Sequence, residues 1–557
     1  MRARNRLSRP AFGILFLVCA SPFLSGFAAE RPRLIVAVSV DQLCQDYLVR
    51  FADNFSEQGA FRRVGKEGSA YAQCHHQHAF TVTAPGHTVQ LTGTYPSQHG
   101  IIGNSWFDRF TGKDMYCCED LSTQIIGLPS AKGVSPKHML VETVGDVLKL
   151  ATGNRSKVFG VAIKDRVAML MAGHNADSAF WLDENIWVTS TYYRKDVPGY
   201  LRALNDQQSF AKLSGQTWDL LLPKEKYHNI GPDENTWENP PKGFKSGFPH
   251  KLPELSTMKP VEFGDLAQIS PFGNDMTLEG ARAVVVHEEL GKDEFPDILC
   301  INLSSNDFVG HAFGPHSLEC EDMTYHTDRQ LGDFLRFLDE QVGVGKWTFG
   351  LTADHGVAPI VEYAKQFHLP ANRAPLGKAA DVMAKLESRL RGQLQVAAGE
   401  TPLVQKVEDF QVYLQHDHPA FQQSDKPGAF QLAQRIVRDW LLDQPHVAAA
   451  LTRDELSGSV QGKLNQQMQR AFHPRRSGDV VFVLDPYCIP GAKGTTHGSP
   501  WHYDTHVPLL LIGCGIQNGQ HQRPVSPARL ASTFAELLNV AYPSANIEQP
   551  LREALGK

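Results

Sequence analysis

Residues 297–311 read DILCINLSSNDFVGH. Asp297 to Leu303 is a β-prone apolar run without polar alternation, which suits a strand covered on both faces, as in a parallel sheet. The run ends in small polar residues. Asp307 and His311 then stand one helical turn apart, so both side chains can face one ion. Three other stretches have the same form: RLIVAVSVD (33–41) ends in Asp41, KVFGVAIKDR (157–166) leads to Lys164 and Arg166, and WTFGLTADH (347–355) ends in Asp354 and His355. Helical periodicity lies between them; in DRQLGDFLRFLDEQVG (328–343), Leu331, Phe334, Leu335 and Leu338 make one apolar face. The expectation is an α/β fold with a mostly parallel central sheet flanked by helices. Such sheets bind ligands beyond the carboxyl ends of their strands, where these four runs deliver acids, a histidine, a lysine and an arginine.

The chain has 557 residues, 42% hydrophobic and 20% charged, enough for a large core. Two stretches break the alternation. Residues 183–270 are rich in Trp, Tyr, Pro and Gly, and residues 363–477 are more helical and polar; both are read as insertions on a single catalytic domain covering 30–557. Residues 1–29 stand apart, with Arg2, Arg4, Arg6 and Arg9 ahead of the apolar run AFGILFLVCASPFLSGF and small residues Gly26, Ala28 and Ala29 around its end. That is the layout of a cleavable secretory signal, too short and lopsided for a membrane span. It predicts an exported, periplasmic or secreted protein with no stable membrane insertion after cleavage. Losing four arginines takes the formal charge from −6 to −10, which leaves no electrostatic footprint for nucleic acid. Eight cysteines remain, Cys44, Cys74, Cys117, Cys118, Cys300, Cys320, Cys488 and Cys514. An even number in an exported chain predicts some disulfide pairing, and no Cys-x-x-Cys spacing points to metal.

Residues 494–508, GTTHGSPWHYDTHVP, add His497, His502 and His506 to the strand-end aspartates Asp41, Asp307 and Asp354 and to His311 and His355. Carboxylate with imidazole and without thiolate suits zinc, with manganese and iron as other choices. Residues 79–104, AFTVTAPGHTVQLTGTYPSQHGIIGN, offer several hydroxyls but no Gly-x-Ser-x-Gly elbow and no Ser-x-x-Lys, so a nucleophile there needs activation from elsewhere.

The motifs SVDQ (39–42), TVTAPGHT (81–88), GIIGNSW (100–106), KDR (164–166), SSNDFVGHAFGP (304–315), LTADHGV (351–357) and GTTHGS with YDTHVP (494–508) occur in one order along nearly the whole chain. As a set they resemble the alkaline phosphatase superfamily, most closely the PafA-like phosphatases with a threonine nucleophile. The resemblance implies that Thr83 is the nucleophile, with Thr81 as the rival at the wrong spacing from Ala-Pro-Gly. It implies two zinc ions, one held by Asp307, His311 and His497 and one by Asp41, Asp354 and His355 with the Thr83 oxygen. His506 is the rival to His497. Asn104, Lys164 and Arg166 are implied to hold the phosphoryl oxygens of a small phosphate monoester, hydrolysed through a phosphothreonine.

Metal coordination lowers a hydroxyl pKa, so Thr83 needs no neighbouring base, and Pro85 and Gly86 fit a helix start whose free N–H groups favour an anion. Lys164 and Arg166 leave a strand as Lys-x-Arg, which by alternation puts both on one side, facing the third oxygen that only a monoester has. A sulfatase would need Cys or Ser where TAPGH begins and an arginine that is absent. A phosphoglycerate mutase would normally use serine in the cytosol. A nucleotide pyrophosphatase/phosphodiesterase shares the metals and is the main alternative, with a catalytically silent metal-binding protein the remote one. His75, His76, His78, His87 and His99 are expected to be structural or supporting. Trp187, Tyr192 and Tyr193 are left outside the site, as a pocket wall or a satellite core.

Overall fold

Strands Leu34–Val40, Val158–Ala162, Asp297–Leu303 and Trp347–Thr352 form the centre of the sheet in a computed structural model of the chain. The structure describes residues 31–128, 131–207, 209–229, 231–373, 376–397, 399, 401–422 and 427–557; the segment read as a secretory signal lies outside them. Every residue of these four strands is buried, as expected of runs covered on both faces.

The Leu34–Val40 strand lies between Trp347–Thr352 and Asp297–Leu303, parallel to both, and Val158–Ala162 and Ser178–Asp183 continue the parallel set. Register decides what happens at the edge. Val40 pairs with Leu303 and Ser39 with Thr352. The chain therefore leaves the sheet at nearly one level after Val40, Leu303 and Thr352, and Asp41, Asp307 and Asp354 follow. Antiparallel strands adjoin the parallel set on both sides: Leu509–Gly513 against Trp347–Thr352, and Ile186–Ser190 against Ser178–Asp183. Together the described residues make ten strands in this sheet.

Helix Leu318–Gln341 buries Leu331, Phe334, Leu335 and Leu338 and packs on helix Pro271–His287. Helix Thr83–Thr92 packs on Asp165–Ala172 and Arg529–Leu538. It is buried along its whole length.

Residues 183–270 are tied to the core more closely than their composition suggests. Ile186–Ser190 is a strand of the main sheet, and Trp187, Val188, Leu201 and Phe263 belong to the main core. Aromatic and Pro/Gly content masked this, although Ile186, Trp187 and Val188 are consecutive apolar residues. Residues 363–477 contain more strand than expected. Val404–Glu408, Gln411–Leu414 and Val447–Thr452 join Val480–Leu484 in a four-stranded sheet, under helices Ala379–Leu394 and Ala429–Leu442, with a core of its own that includes Leu386, Leu390, Val412 and Val437.

The expected pairing does not occur among seven of the described cysteines. Cys44, Cys74, Cys117, Cys118, Cys300, Cys320 and Cys488 are buried thiols. Even the adjacent Cys117 and Cys118 sulfurs are 4.0 Å apart, about twice a disulfide bond length. These cysteines behave as small apolar residues, and an even count could not reveal that. Among the described residues no helix is long and apolar enough to cross a membrane.

Candidate active site

The turn after Leu34–Val40 gathers the acids. Gln42 sits in the left-handed region (φ 64°). This conformation is uncommon for a non-glycine residue. Its backbone N–H donates to Asp354 Oδ1 at 3.2 Å and its side-chain amide donates to Asp307 Oδ1 at 2.6 Å. Lys164, also buried, donates to Asp41 Oδ2 at 2.8 Å and to Asp307 Oδ2 at 2.7 Å. Three carboxylates from three strand ends thus meet in one buried cluster.

The histidines are held in a common way. His311 follows Asp307 by one turn of helix Ser305–Phe313, and its Nε2 lies 3.2 Å from Asp307 Oδ1. His497 Nε2 lies 3.7 Å from the same oxygen. His355 Nε2 lies 3.0 Å from Asp354 Oδ2 and 3.5 Å from Asp41 Oδ1. On each ring Nδ1 faces a backbone carbonyl: Thr495 for His311, Thr81 for His497 and Gly356 for His355, at 2.9, 2.8 and 2.9 Å. A carbonyl accepts only from N–H, so it fixes Nδ1 as the protonated nitrogen and leaves Nε2 to the cluster.

Electrostatics in the cluster are unbalanced. Burial, then Asp354, pushes the Asp41 carboxyl up to about 8 against the pull of Lys164. Burial alone would lower His355, but Asp354 beside it raises the ring to about 9. His497 is driven well below the usual imidazole range by burial and by His355 and His311. Asp41 Oδ1, Asp354 Oδ2 and His355 Nε2 are buried without a hydrogen-bond partner. Such atoms are costly unless something else satisfies them.

Metal-type groupings follow from these positions. Asp307, His311 and His497 bring ligand atoms within 4.8 Å of one another. The other expected set is shared between two groupings, Asp41 with His87 and Asp354, and Asp41 with Asp307 and His355. His506 is elsewhere, grouped with His75 and His502.

Helix Thr83–Thr92 starts beside this cluster with Val82 as a cap that offers no side-chain bond. Asn104 Oδ1 takes the Ala84 N–H at 2.9 Å, so Asn104 is fixed against the first turn. Thr83 is buried, whereas the Thr81 hydroxyl donates to the Ser499 carbonyl at 2.8 Å and is engaged there. Gly86 explains how close the helix comes: a Cβ there would stand 2.3 Å from the Asp354 carbonyl oxygen. Gly86→Ala must therefore push helix Thr83–Thr92 and Asp354 apart. Turnover of a chromogenic phosphate monoester is expected to fall about 100-fold, the scale of a 1 Å misplacement near reacting groups. An alanine variant with unchanged kcat would show that this approach does not matter.

His87, expected only to support, makes three such contacts. Its Nδ1 lies 2.8 Å from the Thr83 carbonyl and 3.2 Å from Asp354 Oδ2, and its Nε2 is 2.9 Å from the Asn302 amide. Its spacing from Thr83, four residues along a helix, was the available signal. Gln42 and Asn302 carried no such signal.

Lys164 and Arg166 do not alternate along a strand as expected. The strand ends at Ala162, Lys164 caps helix Asp165–Ala172, and Arg166 lies in its first turn. Lys164 reaches the acids, while Arg166 lies near Tyr116, whose hydroxyl donates to Asp165 Oδ1 at 2.6 Å. Burial opposes the Arg166 charge, but Tyr116 and Asp165 hold its pKa above the usual value.

Residues 35–493 match the family model described as type I phosphodiesterase / nucleotide pyrophosphatase. The chain is 35% identical to the alkaline phosphatase PafA of Elizabethkingia meningoseptica, over 95% of this chain and 96% of that one. It is 34% identical to the alkaline phosphatase PhoV of Synechococcus elongatus, over 94% and 93%. The crystal structure of wild-type PafA superposes with a TM-score of 0.86 at 34% identity, covering 95% of this chain and 100% of that one.

Proposed function

We propose how this chain, which belongs to the type I phosphodiesterase / nucleotide pyrophosphatase family and is an alkaline phosphatase of the PafA-like group, carries out its chemistry: it is an exported enzyme that uses two zinc ions and passes the phosphoryl group of a small monoester to Thr83. The observation that carries the reading is the set of ligand atoms on Asp41, Asp354 and His355, buried and crowded together without making hydrogen bonds, beside the start of the Thr83 helix. Export rests on the basic and then apolar pattern of residues 1–29.

The donor set fits zinc. Asp307, His311 and His497 would hold one ion. Asp41, Asp354 and His355 would hold the other, with the Thr83 oxygen completing its shell. Three nitrogen or oxygen ligands with one open position is the usual form of a catalytic zinc site. When bound, zinc supplies a Lewis acid that lowers the pKa of a hydroxyl and offsets the charge on a leaving oxygen. With the carboxylate charge met in this way, the Lys164 ammonium is left free for a phosphoryl oxygen. Asn104 and Arg166 take the other oxygens; the Ala84 N–H of the helix start is already taken by Asn104 Oδ1 and the Gly86 N–H by the Val82 carbonyl.

Thr83 gives up its hydroxyl proton and its Oγ1 attacks phosphorus in line with the ester oxygen. The P–O ester bond breaks and the leaving oxygen takes a proton. Water then cleaves the Thr83–phosphate bond, releasing inorganic phosphate and regenerating the hydroxyl. His87 holds the Thr83 carbonyl and Asp354 in one geometry while this happens.

Dialysis against a strong chelator is expected to abolish monoester turnover, and zinc is expected to restore it over the first two equivalents. Full turnover by protein shown to be metal-free would overturn the reading.

A further inference from the structure

Outside the catalytic cluster, His75, His502 and His506 each bring one ring nitrogen within 4.8 Å of the others. Their ring centroids are 4.3 to 5.4 Å apart. His75 is half-buried, and its Nδ1 is buried without a partner. His506 is fixed by its Nε2, 2.8 Å from the Ala72 carbonyl, which leaves Nδ1 as the nitrogen without a proton. His502 is exposed at the start of the short helix His502–Thr505 and closes the group from the solvent side.

We propose that His75, His502 and His506 form a third metal site, which takes a zinc ion with water as its fourth ligand. Three imidazoles with no thiolate or carboxylate select a borderline divalent metal over calcium or magnesium. The His75 and His506 rings are stacked within 11°, so ligation turns one of them about its Cβ–Cγ bond; His355 and His497 stack in the same way inside the catalytic cluster. The surrounding charge is mixed, with Asp46 favouring a cation near His506 and Lys463 opposing one near His75.

The site joins two pieces of chain that matter. The segment from His75 runs on to Thr83, and His506 ends the segment that starts at His497. They already meet in a bridge between His75 and His506 and in the bond from the His76 N–H to the Thr505 carbonyl at 2.9 Å. An ion there clamps the approach to the nucleophile against the loop that carries His497. It does not depend on which residues do the catalysis.

The test compares wild type with His502→Ala, which removes an exposed ring and leaves the core intact, and with His506→Gln. Each protein, first given two equivalents of zinc, is titrated with further zinc by calorimetry, with the bound ions counted by native mass spectrometry. Wild type is expected to hold a third zinc at micromolar concentration, unaffected by excess calcium, and to gain thermal stability as it binds. Both variants are expected to bind it about tenfold or more weakly and to lose that gain. If wild type holds only two ions, the proposal fails. If the variants bind a third as tightly as wild type, the ion belongs to other surface histidines and the proposal fails too. Loss of turnover on chelation, restored by two equivalents, reports separately on the catalytic reading.

Discussion

Replacing Lys164 and Arg166 together with alanine is expected to lower kcat/KM for a phosphate monoester about 10⁴-fold and to spare a phosphodiester by comparison. A monoester carries three non-bridging oxygens and up to two charges, while a diester has one charge and an organic group in place of the third oxygen. In the proposed site the metal ligands and Asn104 would serve both. Cations placed at the third oxygen serve only the monoester, at about 3 kcal/mol per contact, and about 1.4 kcal/mol is tenfold in rate. The single variants separate two roles. Without metal Lys164 pairs with Asp41 and Asp307, two of the proposed zinc ligands, so its loss is expected to alter zinc affinity as well. Arg166 touches neither acid, so Arg166→Ala is expected to change substrate preference with zinc content unchanged. An equal fall on monoester and diester in the double variant would assign both residues to holding the fold. Wild type that prefers diesters would favour the nucleotide pyrophosphatase reading of the family.

Thr83→Ala is expected to lower kcat about 10³-fold or more, since without the nucleophile only binding and charge stabilisation remain. Zinc content is expected to stay as in wild type, because each ion keeps its three protein ligands. Thr83→Ser, which keeps a hydroxyl at the same place, is expected to recover much of the rate. Thr81→Ala removes only a bond to the Ser499 carbonyl, and turnover is expected to stay within a few-fold of wild type. Near-normal kcat in Thr83→Ala would remove the covalent route.

The parallel core was legible because continuous apolar runs report two covered faces directly, and the gathering of the residues that follow them was legible because parallel strands end at one edge. Asp307 with His311 was readable for the same local reason, since one helical turn fixes their spacing. Lys164 and Arg166 show the limit. Alternation holds only while the chain stays extended, and nothing in KDR marks that the strand stops at Ala162. Gln42 was invisible because its role depends on a left-handed backbone at a turn and on two aspartates 265 and 312 residues away. Trp187 looked like part of an insertion because aromatic content near Pro and Gly resembles a loop until the pairing strand is known. The cysteines misled, because an even count constrains chemistry only when sulfurs come within reach.

The central claim is that phosphate passes through the hydroxyl of Thr83. Acid-quenching the zinc-loaded enzyme during turnover of a phosphate monoester, followed by peptide mass spectrometry, is expected to find phosphate on Thr83. Phosphate on Thr81, or steady turnover with no phosphorylated peptide at any quench time, would contradict it.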